Sequence, residues 1–551
     1  MPANINPLAP LALGTLVHWC IKGSGVQLDA KGWRVIGVYV SGLATLFCHS
    51  FFVSELAFSS SAWQTFLAAT FFNIGLYTSI AVGRLIRLRH IPGPIPARLS
   101  QFYGLSLTVK SNNRFHLEVD KLHQQYGDFV RIGPRHISIN RASAIPLVYG
   151  PPSKCAKGPW YAQGGEDPSK ESMFYTKVQE VQKNRRRAWD RGFSVKALAS
   201  YEDRVKEKAE RLVEQLGNRE GEPVNITSWA NTFALDVIGD VGLGTEFRSL
   251  DHGTDHPAIK GVHESMAIIG FLSSVPWLLK ILTDTPGATR KFLLFKQYCS
   301  NQVALKEKTL DRKHEPKDLL SWLLKARYEN DRSAPPGKVA LDEDARLIII
   351  AGSDTTAAAL ANAVFYLARD RRALAKLQAA LDAAFPDGVA GWSYDAAKNV
   401  PYLDHVINET LRLRPPVPSG LSRLTPPEGL QIDEVYVPGN TVVSIPAHSI
   451  QRDARYYEDP DAFVPERWEN LSPESAPFLA FSRGATNCAG KQFARMELRA
   501  SISQIALSFD MKLADDATPA DFDKNQRDTF TLTLPPLNAV FKKRRAGQAP
   551  V

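Results

Sequence analysis

Cysteine is scarce in this chain of 551 residues, and what there is does not pair. The five cysteines, at positions 20, 48, 155, 299 and 488, are odd in number and show no CxxC spacing. That pattern argues against a disulfide framework and suits a reducing compartment, where a single cysteine matters through its neighbours. Zinc-finger spacing and other nucleic-acid signatures are also missing. The formal net charge of +9 therefore points to an acidic partner or a membrane surface and not to base reading. Basic residues gather at Arg84, Arg87 and Arg89, at Lys183, Arg185, Arg186 and Arg187, and at Lys542, Lys543, Arg544 and Arg545. Beyond residue 96 there is no repeat, low-complexity linker or long charge run, so residues 97–551 read as one folded unit. Hydrophobic residues at 44% and charged residues at 22% give that unit enough apolar material for a core.

Three apolar stretches open the chain. They cover residues 8–21, 33–58 and 62–83. The last two match the roughly 20 residues a helix needs to cross a hydrocarbon core, although Glu55, Gln64 and Asn73 interrupt them. The first is short enough to lie in the interface. A cleaved signal peptide is the other reading, but no basic segment precedes Leu8 and two further apolar stretches come after it. Residues 1–90 are thus expected to form a membrane anchor of two or three helices, with Arg84, Arg87 and Arg89 on the cytoplasmic side. Ile91-Pro92-Gly93-Pro94-Ile95-Pro96 restricts the backbone and reads as a stiff hinge over 91–96. Helical periodicity dominates the remainder of the chain, with strand-like runs at 137–139 and 441–445, which predicts a mainly α fold with small β-sheets.

Among the cysteines, Cys488 has the chemically suggestive surroundings. It lies in Phe481-Ser482-Arg483-Gly484-Ala485-Thr486-Asn487-Cys488-Ala489-Gly490, a glycine-flanked loop before an amphipathic run over 493–507. A thiolate there would sit at a helix N-terminus, where backbone N–H groups and the helix dipole favour the anionic form that binds iron. The glycines let a flat macrocycle approach the backbone. A buried structural cysteine beside a turn is the plainer reading. A helical stripe over 399–413 carries Glu409 and Arg412 three apart on one face and stops at Pro415-Pro416; alone, that pair reads as a surface ion pair of little worth. A second helical run, 345–369, is interrupted by Ala351-Gly352-Ser353-Asp354-Thr355-Thr356.

Taken together, these segments resemble the cytochrome P450 family. The loop follows its F-x-x-G-x-R-x-C-x-G pattern at Phe481, Gly484, Cys488 and Gly490, with Thr486 where the family carries an arginine that pairs with a haem propionate. Glu409 and Arg412 resemble the family's ExxR, and Arg467 in Phe463-Val464-Pro465-Glu466-Arg467-Trp468 resembles its P-E-R-F/W arginine. The resemblance implies that this trio forms a buried charge network bracing the haem loop. Residues 351–356 resemble A/G-G-x-D/E-T-T, which implies that Asp354 and Thr355 order water and relay protons to dioxygen. Lys183 to Phe193 is partly similar to W-x-x-x-R, with Lys183 in place of the tryptophan and Arg187 aligned with the arginine; a solvated basic helix face is the other reading. Arg423 resembles a further propionate ligand, so Arg187 and Arg423 would compensate for Thr486.

The resemblance further implies a cytochrome P450 fold preceded by N-terminal transmembrane helices, and haem b held by Cys488 as axial thiolate. The activity implied is that of a monooxygenase inserting one atom of dioxygen into a lipophilic small molecule, by hydroxylation or epoxidation, as a tailoring step of fungal terpenoid or alkaloid biosynthesis. A membrane-bound haem sensor or electron carrier is the alternative, for which Asp354 and Thr355 would be unnecessary. Substrate contacts are implied around 150–165, 268–282, Ala351, 417–420 and 530–532, with Phe271, Val275, Trp277 and Leu278 either dipping into the lipid bilayer or forming an ordinary buried helix hairpin. No flavin or nicotinamide module is recognisable, so electrons are expected from NADPH-cytochrome P450 reductase, docked on Lys183, Arg185, Arg186, Arg483 and Lys491. The expected location is the endoplasmic reticulum membrane, with the catalytic domain facing the cytosol.

Overall fold

Three helices open the chain in the computed structural model, which describes residues 6–24, 31–164, 167–253 and 257–544; Gly165 and Arg545 lie outside these. They are α1 (Leu8–Ser24), α2 (Gly32–Cys48) and α3 (Phe58–Arg87). The helical segment Gly32–Val53 and α3 are both long and apolar enough to cross a membrane. The shorter α1 lies against α3 through small residues. A Cβ on Gly14 would come within 2.1 Å of the Phe72 carbonyl oxygen, and one on Gly75 within 2.0 Å of that of Leu11. Both glycines are therefore needed for the close crossing. Asn73, which interrupts the apolar run, donates to the Tyr39 hydroxyl of α2 at 2.8 Å, so its polarity is met inside the helical cluster.

The proline-rich segment 91–96 is docked onto the domain. Ile91 is buried, and the Pro92 carbonyl accepts from the Arg131 amide at 2.8 Å. Arg84 and Arg87 donate to the carbonyls of Leu99 (2.5 Å) and Gly439 (2.6 Å). The basic end of α3 thus fastens the anchor to the domain.

The fold is mainly helical with small sheets. Helices α4 (Gln179–Gly192), α5 (Pro257–Phe271), α6 (Arg290–Thr309), α7 (Lys338–Arg369), α8 (Pro401–Leu413) and α9 (Lys491–Ser508) contribute to one large core. Helix α7 is as apolar as a membrane span yet mostly buried, because it runs through the interior between α6, α9 and the helix Ile226–Val237. Apolarity all round a helix requires such a place. A five-stranded sheet joins β1 (Phe129–Gly133), β2 (His136–Ile139), β3 (Ala156–Lys157), β4 (Arg423–Leu424) and β5 (Val442–Ser444) in the order β1-β2-β5-β4-β3. Only β2 and β5 pair in parallel. The register sets Lys157 opposite Arg423, which brings two cations to one place. A hairpin of β6 (Arg527–Thr529) and β7 (Thr531–Thr533) turns at Phe530, whose φ of +79° is strained for a bulky side chain.

Candidate active site

Support for the Cys488 loop comes from an ion network centred on the fully buried Glu409 and Arg412. On α8, Glu409 and Arg412 meet at 2.8 Å through both carboxylate oxygens. Glu409 also accepts from Arg467 Nε (2.9 Å), Trp468 Nε1 (2.9 Å) and the Val464 amide (3.0 Å). Arg412 spends its remaining donors on the carbonyls of Gln451, Pro460 and Ala462. The structure thus brings all three sequence-predicted residues together, and every charge is hydrogen-bonded, as burial demands. Gln451, which sequence patterns did not flag, joins this network to the loop: its Nε2 donates to the carbonyls of Leu411 and Arg412, and its Oε1 accepts from the Leu479 amide at 2.6 Å.

The loop itself is held tightly. The Cys488 amide donates to the Phe481 carbonyl at 2.9 Å. Gly484 sits at φ +69°, where a Cβ would lie 2.1 Å from the Tyr149 carbonyl oxygen, so only glycine passes. Gly490 precedes α9, and its backbone N–H faces the thiol. Burial pushes the Cys488 thiol up, while that N–H, Arg186 and Lys491 pull it back down. Cys488 opens onto a cavity lined by Phe481, Gly490, Ala351, Thr355 and Arg423.

The donor set of this cavity fits haem. Arg423 is 3% exposed and pairs with no carboxylate among the described residues; it donates to Tyr161 Oη (3.0 Å), Thr486 Oγ1 (2.7 Å) and the Ser422 carbonyl. Thr486, in the family's arginine position, therefore holds Arg423. Lys157 donates to the carbonyls of Met173, Phe174 and Thr176, and burial, aided by Arg423, pulls its ammonium down to about 7. A thiol on one wall and a buried cation lacking its anion on another match an iron with two propionates.

Arg187 is not part of this wall. On α4 the cavity-lining positions are Gln182, Arg186 and Trp189, one helical stripe continued by the cap residue Phe193, whereas Arg187 lies a further 100° round and is exposed. Arg186 donates to the Asn487 carbonyl (2.8 Å) and side-chain oxygen (3.1 Å) beside Cys488. The W-x-x-x-R alignment is therefore shifted by one, to Gln182 and Arg186. Arg185 is buried too, paired with Asp344 at 2.7 Å. Two of the five cations expected on a docking face thus point inward. Val275, expected to dip into lipid, is fully buried, and Trp277 donates to Gln101 at 3.0 Å; Phe271 remains 39% exposed.

On α7, Thr355 Oγ1 donates to the Ala351 carbonyl one turn earlier at 2.7 Å. Asp354 is buried and absent from the cavity lining. Its Oδ2 accepts from the Thr531 hydroxyl, and its Oδ1 lies 3.4 Å from His263 Nε2 on α5. Thr531 does line the cavity. Next to it, Thr356 donates to Glu497 of α9 at 3.2 Å, and burial pushes that carboxyl well above the usual range. Neither His263 nor Glu497 carries a local sequence signal; Thr531 lies within the implied contact segment 530–532.

Comparison with known proteins agrees with this geometry. The family model described as cytochrome P450 matches residues 94–542. The chain is 38% identical over 493 residues to the cytochrome P450 monooxygenase FCK2 of Fusarium pseudograminearum (strain CS3096), covering 88% of each chain. It is 37% identical over 481 residues to the cytochrome P450 monooxygenase orf5 of Eupenicillium brefeldianum, covering 86% of this chain and 95% of that one. Tryprostatin B 6-hydroxylase of Aspergillus fumigatus is 33% identical over 457 residues, covering 82% and 80%. With a cavity that fits haem and relatives of this kind, the chain belongs to the cytochrome P450 family and is a haem-thiolate monooxygenase related to those of fungal secondary metabolism.

Proposed function

We propose that Cys488 is the axial thiolate ligand, that Arg423 and Arg186 receive the haem propionates, and that the substrate is a lipophilic terpenoid or indole-derived scaffold that is hydroxylated or epoxidised. The observation that carries this reading is the single cavity shared by Cys488, Arg423, Thr355 and Thr531, with largely apolar walls elsewhere. Haem bound there supplies the activation of dioxygen and the transfer of one oxygen atom. The chain's own residues manage position and protons. Thr355, oriented by its bond to the Ala351 carbonyl, presents its hydroxyl oxygen on the cavity wall to order water. Behind the wall the Asp354 carboxylate accepts from the Thr531 hydroxyl, which lines the cavity, so the pair forms a route for a proton between the carboxylate and the cavity. Phe174 and Phe530 line the cavity near the hairpin turn and meet edge-on, with Trp160 stacked behind Phe530, which suits a flat apolar substrate.

Electrons come from NADPH-cytochrome P450 reductase, docked at exposed Lys183 and Arg187 with Arg483 and Lys491 at the margin. The anchor places the domain on the cytosolic face of the endoplasmic reticulum, with the basic end of α3 at the boundary. The test is co-expression with a reductase, feeding of terpene and indole scaffolds, and isotope-labelled dioxygen. One labelled oxygen atom in a product, dependent on NADPH, is the expected result. Its absence across these scaffolds, despite an intact thiolate haem, would overturn the substrate assignment.

A further inference from the structure

The cavity wall contains a buried arginine to which the haem reading assigns no role. Arg346 lies on α7, nine residues before Thr355, or about 13 Å along the helix at 1.5 Å per residue. It is 6% exposed and lines the same cavity as Thr355 and Cys488. Glu343 takes its Nε and Nη2, at 2.9 and 2.6 Å, and Phe292 lies under the guanidinium plane with its ring centroid 5.2 Å away. Glu343 is not Arg346's alone, because Lys296 of α6 binds its other oxygen at 2.8 Å. Two cations thus share one carboxylate. Neighbouring Asp342 and Asp344 are engaged by Lys338 and Arg185. The remaining ionisable neighbours are neutral, since burial pushes Tyr175 and Cys299 each up to about 12. The cluster thus holds one cation more than its carboxylate; Lys296 is 39% exposed and reached by solvent, whereas Arg346, held charged by Glu343, is the member that faces the cavity, on a wall otherwise made by residues such as Leu347, Ile350 and Met266. A net positive cluster that presents a guanidinium to an apolar cavity favours an anionic ligand group there.

We infer that Arg346 is a specificity-determining residue that takes a carboxylate of the substrate, about two and a half turns of α7 from the oxidising end of the cavity, leaving the lipophilic remainder of the molecule to span between them. This rests on reading the cavity as the joint haem and substrate site. The Tyr175 hydroxyl, which flanks the guanidinium and lines the cavity, is placed to donate to the same group.

The test uses imidazole-capped alkanoic acids of octyl, decyl and dodecyl length on the purified full-length haem protein. The imidazole binds the iron and shifts the Soret band, and the acid probes Arg346. Alkylimidazoles of equal length are the reference. At one chain length the acid should bind roughly tenfold tighter or more than its alkyl partner, a difference of about 1.4 kcal/mol. Arg346→Met should reduce that preference to about twofold or less while leaving alkylimidazole affinity and the reduced carbon monoxide band unchanged. Lys296→Met, at a position outside the cavity wall, should weaken the acid several-fold and spare the alkyl probe. Arg346→Lys should retain most of the preference. Equal affinity of acid and alkyl probes at every length, or a preference that survives both removals of charge, would overturn the inference. Loss of the Soret shift with every imidazole, the unsubstituted one included, would instead sink the haem reading beneath it.

Discussion

Around Cys488, single atoms decide the chemistry. The sulfur meets one backbone N–H and two nearby cations against the cost of burial, so a neutral replacement removes the only thiol on the cavity wall. Cys488→Ala is expected to abolish the thiolate-type Soret band of the reduced carbon monoxide complex, read by difference spectroscopy. Asp354 poses a different residue-scale question, because its carboxylate reaches the cavity only through Thr531. Thr531→Val, which keeps shape but removes the hydroxyl, should lower product formed per NADPH by roughly tenfold or more, with hydrogen peroxide making up the balance. Thr355→Ala should do the same. Unchanged coupling in Thr531→Val would disconnect Asp354 from the reaction.

At the scale of elements, α8 and the segment after it act as a brace. Glu409 receives five donors from α8, Val464, Arg467 and Trp468, so removing its charge leaves Arg412 and Arg467 buried and unpaired. Glu409→Gln should cost about 3–5 kcal/mol, seen as a lower unfolding midpoint and early loss of haem. This brace was legible in the sequence because each part is a contiguous pattern, ExxR on one helix and P-E-R-W in one turn. The α4 assignment was not. Three successive arginines occupy three directions around a helix, and only the neighbours of α4 settle that Arg185 meets Asp344, Arg186 meets Asn487 and Arg187 meets water. For the same reason, the anchor's length was readable from hydropathy, whereas the glycine crossing of α1 on α3 required both helices in place.

Taken as a whole molecule, the exposed cations and buried imidazoles set the response to salt and pH. Lys183→Glu combined with Arg187→Glu should slow reduction by NADPH-cytochrome P450 reductase several-fold at low salt, with the difference shrinking as ionic strength rises. An unchanged rate would move the docking face elsewhere. His448 is buried against the His116 ring, and burial, with help from Arg452, His116 and Arg414, holds its imidazole well below the ordinary value near 6.5. The unfolded chain therefore binds a proton below that value that the folded protein refuses. Stability present above about pH 6.5 is lost as pH falls. The unfolding midpoint should drop on acidification through that window, and His448→Phe should flatten the drop.

The sequence by itself determined what contiguous stretches can encode: a multi-helix apolar start, a mainly helical domain, the cysteine loop with its glycines, and the paired charges of α8. Each rests on local spacing, which periodicity and backbone sterics fix before any tertiary contact forms. Only the tertiary structure decided partners. Asp354 meets Thr531 across 177 residues, Arg423 meets Thr486 across 63, and Lys296 joins Arg346 on Glu343 between two helices. Such pairings depend on helix phase, strand register and which charge is compensated by which neighbour, quantities that exist only once separate elements are packed in low dielectric, where one unmatched charge outweighs many local preferences.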